Sequence, residues 1–375
     1  MTDPAPPHQK PEKPALRKPQ GPLRTGWTTG ACATAATKAA LTALFSGTFP
    51  DPVSIRLPGG QEPAFALARE DHGDGWAMAG IVKDAGDDPD VTHGATVIST
   101  VRLLPAGCGI RFVAGDGVGT VTKPGLPLAI GEAAINPVPR AMMVAEVEAL
   151  TAVHAVPADV EITISIPGGD EIALKTWNPR LGIIGGLSIL GTTGVVHPFS
   201  CAAWIHSIHR GIDVARAMGI THVLGATGST SEKTARELYG LPDQALLDMG
   251  DFAGGLLKYL RQHPVPRLTI AGGFAKMSKL AQGALDLHSS RSQIDNLFME
   301  SMFCDDILNQ NIINRIQNAN TALEILEISQ EIGFHLAQPI ADLALKTAVK
   351  TLQGADVAVD IIITDRKGEI LARAS

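Results

Sequence analysis

The chain changes its punctuation near Trp177, and this change restricts the available folds more than any other feature. Beyond it, apolar runs alternate with helical patterns. His222-Val-Leu-Gly225 leads into Ala-Thr227-Gly228-Ser229-Thr-Ser-Glu232, and Arg267–Ala271 runs into Gly272-Gly273. Helical patterns then fill Ser290 to Gln353, and Val357–Thr364 has the character of a last buried strand. Strands alternating with helices specify an α/β layered domain with a mainly parallel sheet, expected over residues 177–375. Before Trp177 the units are shorter. Ser54-Ile-Arg-Leu-Pro-Gly-Gly-Gln-Glu62 and Thr163-Ile-Ser-Ile-Pro-Gly-Gly-Asp-Glu171 each alternate like a half-buried strand and turn on Pro-Gly-Gly, which predicts two hairpin-like units. An alanine-rich helix is expected from Ala31 to Phe45 with Gly47 as its stop, and a β-branched strand from Ala95 to Leu104. Residues 23–176 are therefore expected to form an α+β domain. Residues 1–22, rich in Pro and Lys and without apolar periodicity, are expected to be a disordered tail.

Composition narrows the class of function. The chain has 375 residues, 45% of them hydrophobic, and a net charge of −7. The acidic balance and the lack of a basic stripe argue against nucleic acid as a partner. No apolar run reaches membrane-spanning length and no signal-peptide core is present. The four cysteines, Cys32, Cys108, Cys201 and Cys304, never form a C-x-x-C pair, which fits a reducing cytoplasm and excludes the usual zinc frameworks.

Four groupings could carry chemistry. The first is Lys276–Gln293, where Lys276, Lys279, His288, Ser289, Ser290 and Arg291 gather with Asp286 as the only acid. Ser290 and Gln293 read as a capping box, so a helix is expected to start there and run toward Cys304. Free N–H groups beside those cations would cradle a carboxylate or phosphate, although a capped helix with solvated basic neighbours explains the same residues. The second is the turn after Gly225. Gly225, Thr227 and Gly228, then a helix capped by Ser229 with Glu232, would lie at the carboxyl end of a strand, where open α/β sheets bind cofactors. Gly272 and Gly273 mark the next such turn, and Asp251 stands at the distance where an acid can take a ribose hydroxyl pair. The third is Asp84, Asp87, Asp88 and Asp90. Crowded carboxylates raise one another's pKa, so one of them could serve as a general base near neutral pH; ordinary turn chemistry explains them equally well. The fourth, His206 and His209, has a spacing that can hold a metal but lacks a third ligand, so a solvated helix face is the better explanation and no metal site is expected. Cys32 at a helix start could be activated, or be an inert buried thiol.

These blocks together resemble the cobalt-precorrin-5B C1-methyltransferase family of anaerobic cobalamin biosynthesis. The matching stretches are Arg24–Ala33, Lys83–Thr92, Gly115–Leu126, Gly131–Arg140, Asn178–Val196, Met249–Phe252 and Lys276–Asp295, in order along nearly the whole chain. Thr227–Glu232 departs from the family pattern. The resemblance implies methyl transfer from S-adenosylmethionine to C1 of a cobalt-containing tetrapyrrole, giving cobalt-precorrin-6A, on a fold unlike the other methylases of that pathway. It also implies cationic grips for substrate carboxylates, for which Arg24, Arg140, Arg180, Lys276, Lys279, His288 and Arg291 are candidates, with Thr28, Thr29, Ser289 and Ser290 beside them. Cobalt would arrive inside the substrate. A nicotinamide-dependent tetrapyrrole reductase and a non-catalytic corrinoid carrier are the alternatives, and a homo-oligomer is left open.

Overall fold

The structure is a computed structural model and describes residues 21–303 and 309–375. The expected tail and Cys304 therefore lie almost wholly outside the described residues. The first set of elements is β1 (Gly26–Trp27), α1 (Thr29–Ser46), β2 (Val53–Ser54), β3 (Ala64–Phe65), β4 (Arg69–Gly73), β5 (Trp76–Val82), β6 (Thr96–Leu103), β7 (Ile110–Ala114), β8 (Thr120–Val121), α2 (Pro137–His154), β9 (Val160–Ser165), α3 (Gly169–Ala173), β10 (Ile183–Ile184) and β11 (Val195–Val196).

Its main sheet has the order β4-β5-β6-β9-β7, antiparallel except for the parallel pair β7–β9. Along β9, Val160, Ile162 and Ile164 are fully buried while the residues between them are half-buried, the period-two pattern of a sheet with one covered face. α1 lies on that face, between the sheet and α2. Its alanines are buried nearly all round, which lets the helix approach both neighbours closely. Thr28 caps it by accepting the Ala31 N–H at 3.1 Å, and Gly47 ends it in the left-handed conformation.

The two Pro-Gly-Gly segments fold differently. β2 and β3 make the expected hairpin, but β9 turns into helix α3 instead. β10 pairs with β8, and β11 with β1, so the chain returns to its first strands before leaving them.

The second set is α4 (Cys201–Ala217), β12 (His222–Ala226), α5 (Ser229–Tyr239), α6 (Ala253–Gln262), β13 (Arg267–Gly273), α7 (Phe274–Ala281), α8 (Asn296–Glu300), α9 (Gln310–Gln317), α10 (Ala322–Glu331), α11 (Ala337–Leu352), β14 (Ala358–Thr364) and β15 (Ile370–Ala374). The sheet order is β12-β13-β14-β15; the first three strands are parallel and β15 is antiparallel. The α+β and α/β expectations thus match what is seen. The larger core lies on the side of α4, α6, α7 and α11, and a smaller one lies under α5. Burial on both faces explains why β12, β13 and β14 read as continuous apolar runs. No described helix is long and apolar enough to cross a membrane.

Two helix starts need correction. Ser290 opens no helix: Ser290 N and its hydroxyl both turn to His288 Nδ1, at 3.2 and 2.7 Å, and α8 starts at Asn296 under the cap of Asp295. Ser229 does not cap α5 either. Gly228 holds the cap position, and Glu232 is engaged elsewhere.

Candidate active site

The carboxyl ends of β12, β13 and β14 form one edge of the second sheet, and most of the expected cofactor residues meet there. Thr227 N donates to Ala271 O at 2.9 Å, which ties the turn after β12 to the end of β13. Residues 246–250 run beside β12: Leu247 N donates to Leu224 O, and Gly250 N to Ala226 O, both at 2.9 Å. That placement brings Asp251 to the same edge. Lys276, in the first turn of α7, forms an ion pair with Asp251. Leu287 N donates to Asp251 O at 2.8 Å, which returns the chain to the edge and sets the exposed loop His288–Arg291 beside the pair. The structure thus joins two groups of residues that the sequence kept apart.

The glycines at this edge differ in what faces them. A Cβ on Gly225 would strike Leu256 and Met249, so this residue serves packing. One on Gly272 would come within 2.8 Å of Thr227 Oγ1 and Met277 Sδ. Gly228 and Gly273 face open space, at the ends of adjacent parallel strands. Two bare backbones at the ends of adjacent parallel strands leave room for a nucleoside-bearing cofactor, and the residues present fit such a group.

Several expected substrate grips are already engaged. Arg140 donates to Ile135 O at 2.8 Å and Ala133 O at 3.0 Å, and pairs with Glu132. Lys279 is buried and donates to Leu287 O at 3.0 Å. Thr29 bonds with Leu190, and Thr28 caps α1. Arg180 donates through both terminal nitrogens to Glu232, at 3.0 and 2.7 Å, joining the loop after α3 to the first turn of α5. Arg24 pairs with Asp84. Among the described residues, the guanidinium of Arg291 makes no hydrogen bond or ion pair.

Two of the four crowded aspartates, Asp84 and Asp90, are lowered rather than raised. The Arg24 guanidinium and the Gly86 N–H hold Asp84 at about 2. Burial works to raise Asp90, but the charge and hydrogen bond of Lys83 at 2.6 Å, with two bonds from Thr92, leave it below its ordinary value. Asp87 accepts the Arg24 N–H at 2.6 Å and Asp88 the Phe199 N–H at 2.8 Å. Supplied cations and N–H donors outweigh like-charge crowding. Cys32 is fully buried and desolvation pushes its thiol up to about 12, so it is inert. His209 stacks on Tyr259 at 3.9 Å, and burial lowers its pKa.

Asp248 was not singled out from the sequence. It is a non-glycine residue at φ 39°, beside the end of β12. Its carbonyl accepts the Trp204 indole N–H at 3.0 Å, and Trp204 stands edge-on to Trp177 and tilted against Phe252, both at 6.4 Å. Burial, followed by the Glu232 charge, pushes its carboxyl up to about 6 against the pull of Arg180. The one hint in the sequence was position, since it directly precedes the Met249-Gly-Asp251-Phe252 block.

Comparison with known proteins completes the picture. A family model described as CbiD matches residues 16–198, and one described as the CbiD C-terminal domain matches residues 286–375. A cobalt-precorrin-5B C(1)-methyltransferase of Brucella anthropi is 69% identical over 351 residues, covering 94% of this chain and 95% of its own. The protein of that name from Brucella ovis is 68% identical over 361 residues, covering 96% and 98%. A crystal structure of the cobalamin biosynthesis protein (cbiD) from Archaeoglobus fulgidus aligns with 83% of this chain and 85% of its own, at 23% identity and a TM-score of 0.38. The sequence matches define a methyltransferase of cobalamin biosynthesis. The chain belongs to the CbiD family.

Proposed function

We propose that this chain methylates C1 of cobalt-precorrin-5B, using S-adenosylmethionine as the methyl donor and yielding cobalt-precorrin-6A. The observation that carries the reading is the open edge of the second sheet, where Gly228 and Gly273 face free space next to the Asp251–Lys276 pair. When bound, S-adenosylmethionine supplies an electrophilic sulfonium methyl group. The donor is already activated, so the protein's main task is alignment, which can contribute roughly 7–11 kcal/mol to lowering the barrier. Gly228 and Gly273 offer backbone to the nucleoside portion. Asp251 is placed to meet ribose hydroxyls, with Lys276 fixing its carboxylate. His288, Ser289 and Arg291 stand exposed at the same edge as donors for substrate carboxylates, with Ser290 holding the His288 ring. Each charge-assisted hydrogen bond contributes about 1.5–3 kcal/mol, so a few suffice on a protein of net negative charge. The substrate's cobalt needs no protein ligands for this role.

Calorimetric titration with S-adenosylhomocysteine, with NADPH as control, is the direct test, followed by mass analysis of cobalt-precorrin-5B incubated with the enzyme and donor. Micromolar binding of the first ligand and gain of one methyl group are expected. Binding of NADPH alone would indicate a reductase, and tetrapyrrole binding without a mass change would indicate a carrier.

A further inference from the structure

The proton balance of the reaction asks for a residue that the edge described so far does not supply. A sulfonium donor carries a positive charge and its thioether product does not. As the C1–methyl bond forms from a π-electron pair of the macrocycle, the donor's S–CH3 bond breaks and its electron pair stays on sulfur. The macrocycle gains the methyl group with one positive charge, and it returns to its starting charge by releasing one ring proton. A group that receives that proton must be ionised at neutral pH, free of a competing cation, and close to the edge.

We propose that Asp248 receives the proton released by the macrocycle, and that the Trp204 indole beside it seats one face of that macrocycle. This rests on the methyl-transfer reading above. Asp248 lies two residues before Gly250, whose N–H is bonded to the last residue of β12, and so sits at the end of the strand that leads into Gly228. The chain around it is fixed by Leu247 N, which donates to Leu224 O, and by Gly250 N, which donates to Ala226 O; its own carbonyl accepts the Trp204 indole N–H, while its carboxylate makes no hydrogen bond among the described residues. Trp204 is 44% exposed although it is anchored by that hydrogen bond. An indole fixed in place and left half open is a stacking surface of the kind a flat conjugated ring uses. Arg180 lies over the Trp177 ring at 5.4 Å.

The charged surroundings fit the role. The groups acting on Asp248 are Glu232, from α5, and Arg180, from the loop after α3. Asp243, in the short turn after α5, acts on Arg180, and α4 meets Asp248 through the uncharged Trp204. Arg180 is spent on Glu232 through two hydrogen bonds, so the pair leaves Asp248 without a dedicated cation. A carboxylate poised at about 6 is ionised at neutral pH and accepts a proton more readily than an ordinary aspartate.

The test compares D248N, D248E and E232Q with the unaltered enzyme, measuring turnover of cobalt-precorrin-5B from pH 5 to 9, S-adenosylhomocysteine binding by calorimetry, and thermal unfolding. D248N is expected to keep inhibitor affinity within twofold, to lose turnover by about 10²–10⁴-fold, and to lack the acidic limb that the unaltered enzyme shows near pH 6. D248E is expected to restore at least tenfold over D248N. In E232Q a repulsive charge is gone, so the acidic limb should move to lower pH; this arm keeps the proposal testable if D248N does not fold. Turnover of D248N within threefold of the unaltered enzyme, or an acidic limb unmoved in E232Q, would overturn the role of Asp248 alone. Absence of methyl transfer by the unaltered enzyme would overturn the parent reading and this one with it.

Discussion

Two groups of aspartates behave in opposite ways. Asp84 and Asp90 stand in a crowded loop between β5 and β6 and are held below the ordinary carboxylate range, whereas Asp248, outside any such cluster, is pushed above it. Crowding along the chain therefore says little about titration. What decides is the supply of partners: Arg24, Lys83, Thr92 and backbone N–H groups serve the loop, while Asp248 gains burial and the field of Glu232. The crowded loop is clasped by its partners, whereas the Asp248 carboxylate makes no hydrogen bond among the described residues.

The contrast is broken most severely at Lys83. This side chain is almost fully buried and its ammonium meets Asp90 at 2.6 Å. Lys83→Ala strands a partly buried carboxylate and is expected to cost about 3–5 kcal/mol, read as a lowered urea midpoint; a loss under 1 kcal/mol would deny the loop its clasp. Arg180→Ala removes two hydrogen bonds from Glu232 and the positive charge that pulls Asp248 down. A loss of about 2 kcal/mol is expected, together with an acidic limb of the rate profile displaced to higher pH. An unmoved limb would separate Asp248 from this pair.

The remaining two predictions concern the pH dependence of stability, and their signs are opposite. Asp248 binds its proton more tightly in the folded state than in the unfolded one. Stability from this group is therefore full below about pH 4, falls as pH rises toward 6, and is flat above that. Asp248→Asn removes the loss, so the variant should gain on the order of 1 kcal/mol at pH 8, after allowance for solvent reaching the site, and almost nothing near pH 3.5. Equal gains at both values would point to a cause other than ionisation. Asp84 is depressed to about 2, so its contribution is present above about pH 4 and lost as pH falls toward 2. Its side chain is 44% exposed, so Asp84→Asn should cost below about 1 kcal/mol at pH 7 and flatten the acid limb of the unfolding curve. A cost that persists at pH 2 would assign its role to packing.

What the sequence disclosed and what it hid follow from the range of the forces involved. α1 was legible because its stop is local: Gly47 ends it in the left-handed conformation, with its N–H on Ala43 O. The parallel sheet was legible because strands buried on both faces must be apolar throughout. The capping box at Ser229 failed because Arg180, 52 residues away, takes the Glu232 carboxylate that the local motif needs. The one at Ser290 failed because His288 closed a tighter turn first. Twin Pro-Gly-Gly segments diverged because Ala64–Phe65 offers the first a partner strand, while the second runs on into helix α3. Asp248 was hidden because nothing in its neighbours along the chain displays Trp204, Glu232 or Arg180, which reach it only through the fold.

The pairing of β1 with β11 sets a timetable for the nascent chain. Gly26 lies opposite Val196, and Thr28 N, at the mouth of α1, donates to Gly194 O at 3.0 Å. At ~5–20 residues per second, on the order of ten seconds separate the emergence of these partners from a ribosome. Through that interval the entrance of the alanine helix lacks the strand that closes over it, so the first strand and helix cannot complete their pairing until residues near 196 have emerged.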